Sequence, residues 1–277
     1  MFDPVASYNN LFDLSGKTAI ITGATGILGR HFSIGLAQAG ADVALLDIRV
    51  QGLEELATLI SDTYGVEARG FVCDVTDPAS VKNAVGAVES TFGHVDILHN
   101  NAAGKSDSLD AFFAPFEEYS LEQWRRTMAV NLDGVFLMAQ SVGKLMLAQP
   151  SGGSIIQTSS IYGVVGPDQR IYEGAEYLNR QINTPAVYSA SKAGVIGLTR
   201  YLATYWADKG IRVNAIAPGG VSSGQNDEFV RRYSSRVPMG RMAKASEIVG
   251  ALIYLASDAS QYVTGQTIIV DGGLEAW

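Results

Sequence analysis

The chain has 277 residues, of which 47% are hydrophobic and 17% charged, with a net charge of −8. That length suits one large α/β domain or two small ones, with core enough to need no disulfide staple, and the single cysteine, Cys73, excludes an intrachain disulfide. The negative charge argues against a nucleic-acid partner or an anionic membrane surface, so a bound anion must be held by local donors.

The opening stretch MFDPVASYNNLFDLSG carries acids and no apolar core, unlike a signal peptide. No run is long and apolar enough to span a bilayer, and the expected compartment is the cytoplasm. Residues 1–13 read as an N-terminal extension. Then KTAIIT (17–22) predicts a buried strand, 27–39 a helix closed by Gly40, and DVALLD (42–47) a second strand. A helix over 52–64 and a strand over 67–74 follow, where Cys73 reads as a small apolar residue. Pro78 suits the first turn of a helix running to Phe92. VDILHN (95–100) is the fourth strand, 121–149 one long helix, and SIIQTSS (154–160) the fifth strand. A helix over 186–209, the strand IRVNAIAP (211–218), a helix over 246–256 and the strand QTIIVD (266–271) complete the chain.

Short apolar strands alternating with helices predict a doubly wound parallel sheet with helices on both faces and right-handed crossovers. A single such domain covers 1–277. Ligands of these sheets bind beyond the carboxyl ends of the strands, so the residues there are the candidates.

Gly23, Gly26 and Gly29 punctuate TAIITGATGILGR where the first strand enters the first helix. Unpaired N–H groups and the helix dipole favour an anion at that position, and glycine lets a pyrophosphate come close. A tight structural turn is the alternative. Asp47 ends the second strand 18 residues after Gly29, near the ~20 expected of an acid that accepts hydrogen bonds from an adenosine ribose. A carboxylate there repels a 2′-phosphate, which favours NAD over NADP. Arg30 and Arg49 lie close enough in sequence to offer such a phosphate a partner. Asp74 and the run Asn100 to Ala103 end the third and fourth strands on the same edge.

Tyr188 and Lys192, in PAVYSASKAG, share one face of a helix. A tyrosine ionises near pH 10. A unit charge ~4 Å away, at an effective dielectric near 20, is worth about 4 kcal/mol, enough to make the phenol a usable acid or base. Ser159 and Ser160 close the fifth strand, where a hydroxyl can hold a substrate oxygen against that phenol. Asn131, in MAVNLDGVF, is a polar residue in an apolar helix that pins a bend, pins a water, or is a satisfied core amide. His31, His94 and His99 show no ligand spacing, so no metal is expected.

In TGATGILG, CDVTD, NNAA, VNLDGVF, SIIQTSS, YSASKAG, IRVNAIAPGG and VTGQTIIVDGG, the chain resembles the single-domain core-type branch of the short-chain dehydrogenase/reductase superfamily, from about Leu14 to Gly273. The resemblance implies a Rossmann-type sheet of seven strands and hydride transfer between a nicotinamide cofactor and a secondary alcohol or ketone. It implies Tyr188 as acid/base, Lys192 as ribose ligand and modulator of the phenol, Ser160 as the residue orienting the substrate oxygen, and Asn131 as support for a proton-relay water. Cofactor contacts are implied for Gly23, Thr25, Gly26, Ile27, Leu28, Asp47, Asp74, Val75, Asn101, Ala102, Ala103, Pro218, Gly219 and Val221. It further implies a substrate lid over 221–238 and a homotetramer formed through the helices carrying Asn131 and Tyr188.

The chain departs from the family pattern in three places. Ile27 and Gly26 stand where the core-type pattern has its second glycine at 27, a spacing seen in the epimerase and dehydratase branch. The fourth-strand motif gains an alanine. A long stretch of 27 residues separates Ser160 from Tyr188, and its polar, aromatic part PDQRIYEGAEYLNRQ (167–181) reads as a flap at the active-site mouth. Arg170, Tyr172, Glu173, Glu176, Tyr177 and Arg180 in that flap suit a hydroxyl-rich or carboxylated substrate. The function expected is therefore NAD-dependent oxidation or reduction of a sugar, sugar acid or polyol. The alternatives are an NADP-dependent ketone or 3-oxoacyl reductase, an NAD-dependent epimerase, a non-catalytic NAD(H)-binding protein, and a flap that only packs against a neighbouring subunit.

Overall fold

A computed structural model describes residues 10–104, 108–177 and 180–277; of the N-terminal extension only 10–13, and of the flap all but 178 and 179, fall among them. Seven strands form one sheet: β1 (Thr18–Thr22), β2 (Asp42–Asp47), β3 (Ala68–Val72), β4 (Ile97–Asn100), β5 (Gly153–Thr158), β6 (Ile211–Pro218) and β7 (Thr267–Val270). Their spatial order is β3-β2-β1-β4-β5-β6-β7, and every pairing is parallel. This is the Rossmann-type α/β sheet that the sequence predicts.

Alternation along the strands builds the two cores. Ala19, Ile21, Val43 and Leu45 face one side and pack with Phe32, Leu36, Ile60 and Leu252. Ile20, Ala44 and Leu46 face the other and pack with Val85, Met138, Val142 and Trp206. Side chains that alternate in a strand go to opposite faces, so a continuous apolar run is needed when helices cover both. Each fully buried Leu or Ile contributes about 1.5–3 kcal/mol.

The first face is covered by α1 (Ile27–Gln38), α2 (Leu53–Tyr64) and α8 (Val249–Ala256). The second is covered by α3 (Pro78–Phe92), α5 (Gly134–Ala148) and α6 (Ala186–Trp206). Asp77 caps α3 by accepting from the Ala79 amide, with Pro78 in the first turn as expected. Among the described residues, no helix is long and apolar enough to cross a membrane.

Two features differ from the sequence reading. The helix expected over 121–149 is α4 (Leu121–Met128), a π-turn over Ala129–Asp133, and then α5. The π-turn accommodates Asn131, a fully buried amide that must find partners off the helix. Segments read only as flap and lid also acquire structure: a helical turn at Gln169–Tyr172, a short hairpin of Glu176–Tyr177 with Arg180–Gln181, and α7 (Asp227–Ser234).

Candidate active site

The order of strands reverses between β1 and β4, and the candidate residues gather at that carboxyl edge. Gly23 has a φ of +65°, and a Cβ on it would lie 2.9 Å from the Ala102 Cα. A Cβ on Gly29 would lie 2.1 Å from the Gly23 carbonyl oxygen. These two glycines let the chain fold back on itself between β1 and α1. Gly26 caps α1 with no side-chain acceptor, so the first amides of that helix keep their capacity to bind an anion. Ile27 is 52% exposed and does not fill the turn. Two of the three glycines thus make the turn, and the helix end at the third carries no side-chain cap.

Asp47 is buried at the end of β2. Its Oδ2 accepts from the Thr25 amide (3.0 Å) and hydroxyl (2.7 Å), and its Oδ1 from the Arg49 amide (3.0 Å). Burial works against its charge, but these hydrogen bonds and the Arg49 guanidinium outweigh it and hold its pKa below the ordinary carboxylate value. Arg49 also donates from Nη2 to the Thr25 Oγ1 at 2.8 Å, and Arg30 from Nε to the Thr25 carbonyl at 3.1 Å. Both arginines thus reach the neighbourhood of Asp47, as their sequence positions suggest.

Asp74, just past β3, folds its own turn by accepting from the Thr76 amide (2.9 Å) and hydroxyl (2.7 Å), with Val75 buried beside it. Past β4, Asn101 and Ala102 both donate their amides to the Thr22 Oγ1 at 3.0 Å, which lays this loop against the glycine turn. The Gly104 amide donates to Asn131 Oδ1 (3.0 Å), and Asn131 Nδ2 donates to Ser191 Oγ (3.4 Å). Asn131 is thus a satisfied amide that ties the fourth-strand loop to α6. Pro218 ends β6, the Gly219 amide donates to Val270, and Val221 bridges to Ala243.

Ser160, Tyr188 and Lys192 converge. Ser159 and Ser160 divide the labour of their pair: Ser159 donates to the Lys192 carbonyl at 2.8 Å, while Ser160 Oγ accepts from the Tyr162 amide at 3.2 Å and is hydrogen-bonded to the Tyr188 phenol. Lys192 is buried and donates from Nζ to the Thr158 carbonyl at 2.8 Å, 5.9 Å from the Tyr188 ring centroid. Burial pushes the Lys192 ammonium down to about 8. The expectation of a lowered phenol pKa is not met in this state: burial raises Tyr188, the Ser160 hydrogen bond opposes it, and the nearby Tyr172 phenol adds to the rise. The reason is geometric, since the ammonium is engaged at Thr158 and not at the phenol oxygen.

Sequence reasoning gave His99 no role. It is fully buried on β4, its Nε2 is 2.9 Å from the Thr158 Oγ1, and its ring meets Phe32 edge-on. Thr158 is the residue whose carbonyl grips Lys192. Burial lowers the His99 pKa from 6.5 to about 3. The unfolded chain thus takes up this proton below pH 6.5 while the folded chain refuses it, so stability should fall as pH drops from 6.5 toward 3. Each pH unit in that window is worth about 1.4 kcal/mol. Urea midpoints of wild type and His99→Gln, compared at pH 7 and pH 4.5, should show the wild type's advantage shrinking; a constant gap would contradict it.

In the flap, Arg170 pairs with its neighbour Asp168 (2.8 Å), and Glu173 with Arg232 of α7 (3.1 Å). Arg236 also pairs with Asp168, and Asn226 donates from Nδ2 to the Gly174 carbonyl at 3.0 Å. Ile171, Tyr172, Ala175 and Ile182 bury themselves with Phe229, Tyr233 and Val237 of the lid segment. The Arg180 side chain lies outside the described residues. What the flap brings toward Tyr188 is aromatic: Tyr172, beside Tyr162 and Tyr233. Tyr162 and Thr184 carried no sequence signal beyond standing two residues after Ser160 and four before Tyr188.

The family model described as short chain dehydrogenase matches residues 17–175, and that described as Enoyl-(Acyl carrier protein) reductase matches 175–275. The chain is 38% identical over 270 residues to a D-threitol dehydrogenase of Mycolicibacterium smegmatis, covering 95% of this chain and 94% of that protein. A crystal structure of a gluconate 5-dehydrogenase from Burkholderia cenocepacia, in complex with NADP and tartrate, superposes with a TM-score of 0.85 at 34% identity, over 97% of this chain and 98% of that one. A crystal structure of an NAD+-bound xylitol dehydrogenase does so with a TM-score of 0.82 at 31% identity, over 94% and 99%. The fold, the uncapped glycine turn and these matches agree, and the chain belongs to the short-chain dehydrogenase/reductase superfamily, oxidoreductases that act on CH–OH groups with a nicotinamide cofactor.

Proposed function

We propose that the chain transfers hydride between NAD(H) and a secondary hydroxyl or ketone of a sugar, polyol or sugar acid. The observation that carries this reading is the convergence of Ser160, Tyr188 and Lys192 at the sheet edge that also presents the α1 cradle. The names of the relatives support the substrate class. In this reading Ser160 holds the substrate oxygen and Tyr188 exchanges a proton with it. The phenol must overcome the desolvation that keeps it protonated, and the Lys192 ammonium is the positive charge at hand. Asn131 holds the loop after β4 against α6. The bound nicotinamide supplies the hydride donor or acceptor.

The cofactor would lie with its phosphates on the backbone of Gly23, Thr25, Gly26, Ile27 and Leu28. Asp47 would take the ribose, Asp74 and Val75 the adenine, Asn101 to Ala103 the adenosine side, and Pro218, Gly219 and Val221 the nicotinamide, with Lys192 on its ribose. Asp47 supports NAD over NADP. A second reading, NADP, is favoured by Arg49, whose guanidinium stands beside Asp47. Exposed apolar side chains on α4, α5 and α6, among them Leu121, Phe136, Tyr201 and Tyr205, support a homotetramer. A cytoplasmic, single-domain enzyme with 221–238 as its lid fits this reading.

The test is a rate screen with NAD and NADP against polyols, sugars, aldonates and simple ketones, followed at the reduced-nicotinamide absorbance. Turnover of the hydroxyl-rich compounds with NAD is expected. Asp47→Ser should lower the NAD-to-NADP ratio of kcat/KM by about 10-fold or more. Turnover of apolar ketones alone would end the substrate assignment, and a wild-type preference for NADP would end the cofactor assignment.

A further inference from the structure

The end of β5 holds Lys192 and Tyr188 of α6 through consecutive residues. The Thr158 carbonyl accepts from Lys192 Nζ at 2.8 Å, Ser159 Oγ donates to the Lys192 carbonyl at 2.8 Å, and Ser160 meets the Tyr188 phenol. The first of these contacts stands where the sheet breaks off. Ser154 donates its amide to the Asp96 carbonyl at 2.8 Å, and β4 and β5 stay in register as far as Asn100 with Gln157. Parallel strands bond at even steps, so the next rung would carry the Ala102 amide to the Thr158 carbonyl. That amide turns instead to the Thr22 Oγ1 at 3.0 Å. The Lys192 ammonium therefore takes the place of a missing rung.

On the β6 side the same peptide is fixed by the ladder, since the Ser159 amide donates to the Ile216 carbonyl at 2.8 Å. On the β4 side a side chain extends the pairing by one residue. His99 Nε2 and Thr158 Oγ1 are hydrogen-bonded at 2.9 Å, and both residues are buried. Phe32 braces the imidazole edge-on, with the ring centroids 4.5 Å apart. His99 Nδ1 has no partner among the described residues. A buried polar atom left without a partner costs stability, and an apolar side chain would avoid that cost. Packing alone would favour such a side chain here; what the imidazole adds is the bond to Thr158. Burial lowers the ring's pKa to about 3, so the imidazole stays neutral and the bond persists at any pH near neutrality.

We propose that His99 is a positioning residue: through Thr158 it fixes the carbonyl that holds the Lys192 ammonium beside the Tyr188 phenol. This rests on the roles proposed above for Tyr188 and Lys192, and it adds to them a residue on the opposite face of the sheet. The proton exchange stays with Tyr188.

The experiment measures kcat and KM for wild type, His99→Leu, Thr158→Val, the double variant and His99→Gln, with NAD and the alcohol that the screen above turns over fastest. Each of the first two variants should lower kcat by about 10-fold, because a small displacement of a charged group at the reacting atoms costs that much or more. KM for the alcohol should stay within about two-fold, since the interaction matters chiefly in the transition state. The double variant should lie within about two-fold of the slower single one, because both changes remove one contact. The His99→Gln amide can reach Thr158 Oγ1, so its kcat should stay within about three-fold of wild type, whatever it loses in stability. Thr158→Val removes the contact without disturbing the core behind it, so the loss in kcat is readable even if His99→Leu does not fold. An undiminished kcat in either single variant, losses that multiply in the double variant, or a glutamine variant as slow as the leucine one overturns the proposal and leaves the functional reading standing. A wild type that turns over no alcohol, or a Lys192→Met variant as fast as wild type, overturns that reading and this proposal with it.

Discussion

Tyr188→Phe is expected to lower kcat by about 10³-fold, within the range that a positioned acid or base contributes, while NADH binding by fluorescence titration stays within about three-fold of wild type. The two readouts separate because the phenol oxygen meets Ser160 and the site mouth, whereas the residues proposed to hold the phosphates lie at the β1–α1 turn. Lys192 keeps its own anchor at the Thr158 carbonyl in the variant, so its position does not depend on the lost hydroxyl. The phenylalanine ring fills the same enclosure, so a fall in activity reports chemistry and not collapse. Undiminished turnover would take the proton exchange away from Tyr188. Equal loss of binding and turnover would make the residue structural.

Gly29→Ala should be the most damaging small substitution in the cofactor turn. Its Cβ would stand 2.1 Å from the Gly23 carbonyl oxygen and 2.9 Å from the Ala24 Cα. Both are backbone atoms that cannot rotate away, so β1 and α1 must separate, at a cost of about 3 kcal/mol. NADH affinity should fall with stability, because the amides of the α1 terminus move with the turn. Gly26→Ala is the contrast: its Cβ meets only the Gly23 carbonyl oxygen, at 3.2 Å, and the loss should stay within about 1 kcal/mol. Urea unfolding and NADH titration of both variants check this ordering. Equal behaviour would mean that the turn is loose enough to absorb a methyl group at either position.

The sheet and its edge are legible in the sequence because short apolar runs covered on both faces leave little choice of partner or position. DVALLD and IRVNAIAP fall within the strand limits residue for residue, and 78–92 within those of α3. Tyr188 and Lys192 share a face because helical spacing puts them there. What could not be read is what depends on contacts distant in sequence. The π-turn at Ala129–Asp133 follows from the demands of Gly104 and Ser191 on Asn131. The phenol pKa turned on which atom Lys192 donates to, and helical spacing does not specify that. The charged residues of the flap read as ligands because composition does not show that Arg232 of α7, and Arg236 just beyond it, meet Glu173 and Asp168.

That meeting of flap and α7 has a consequence for exchange at the mouth. Ile171, Tyr172, Ala175 and Ile182 share one apolar cluster with Phe229, Tyr233 and Val237, and the two sides are joined by Arg232 to Glu173 and by Arg236 to Asp168. Displacing one side would mean breaking that cluster and both ion pairs, or carrying the other along. If reactants enter between them, a substitution that weakens either ion pair, such as Arg232→Ala, should change entry and release together.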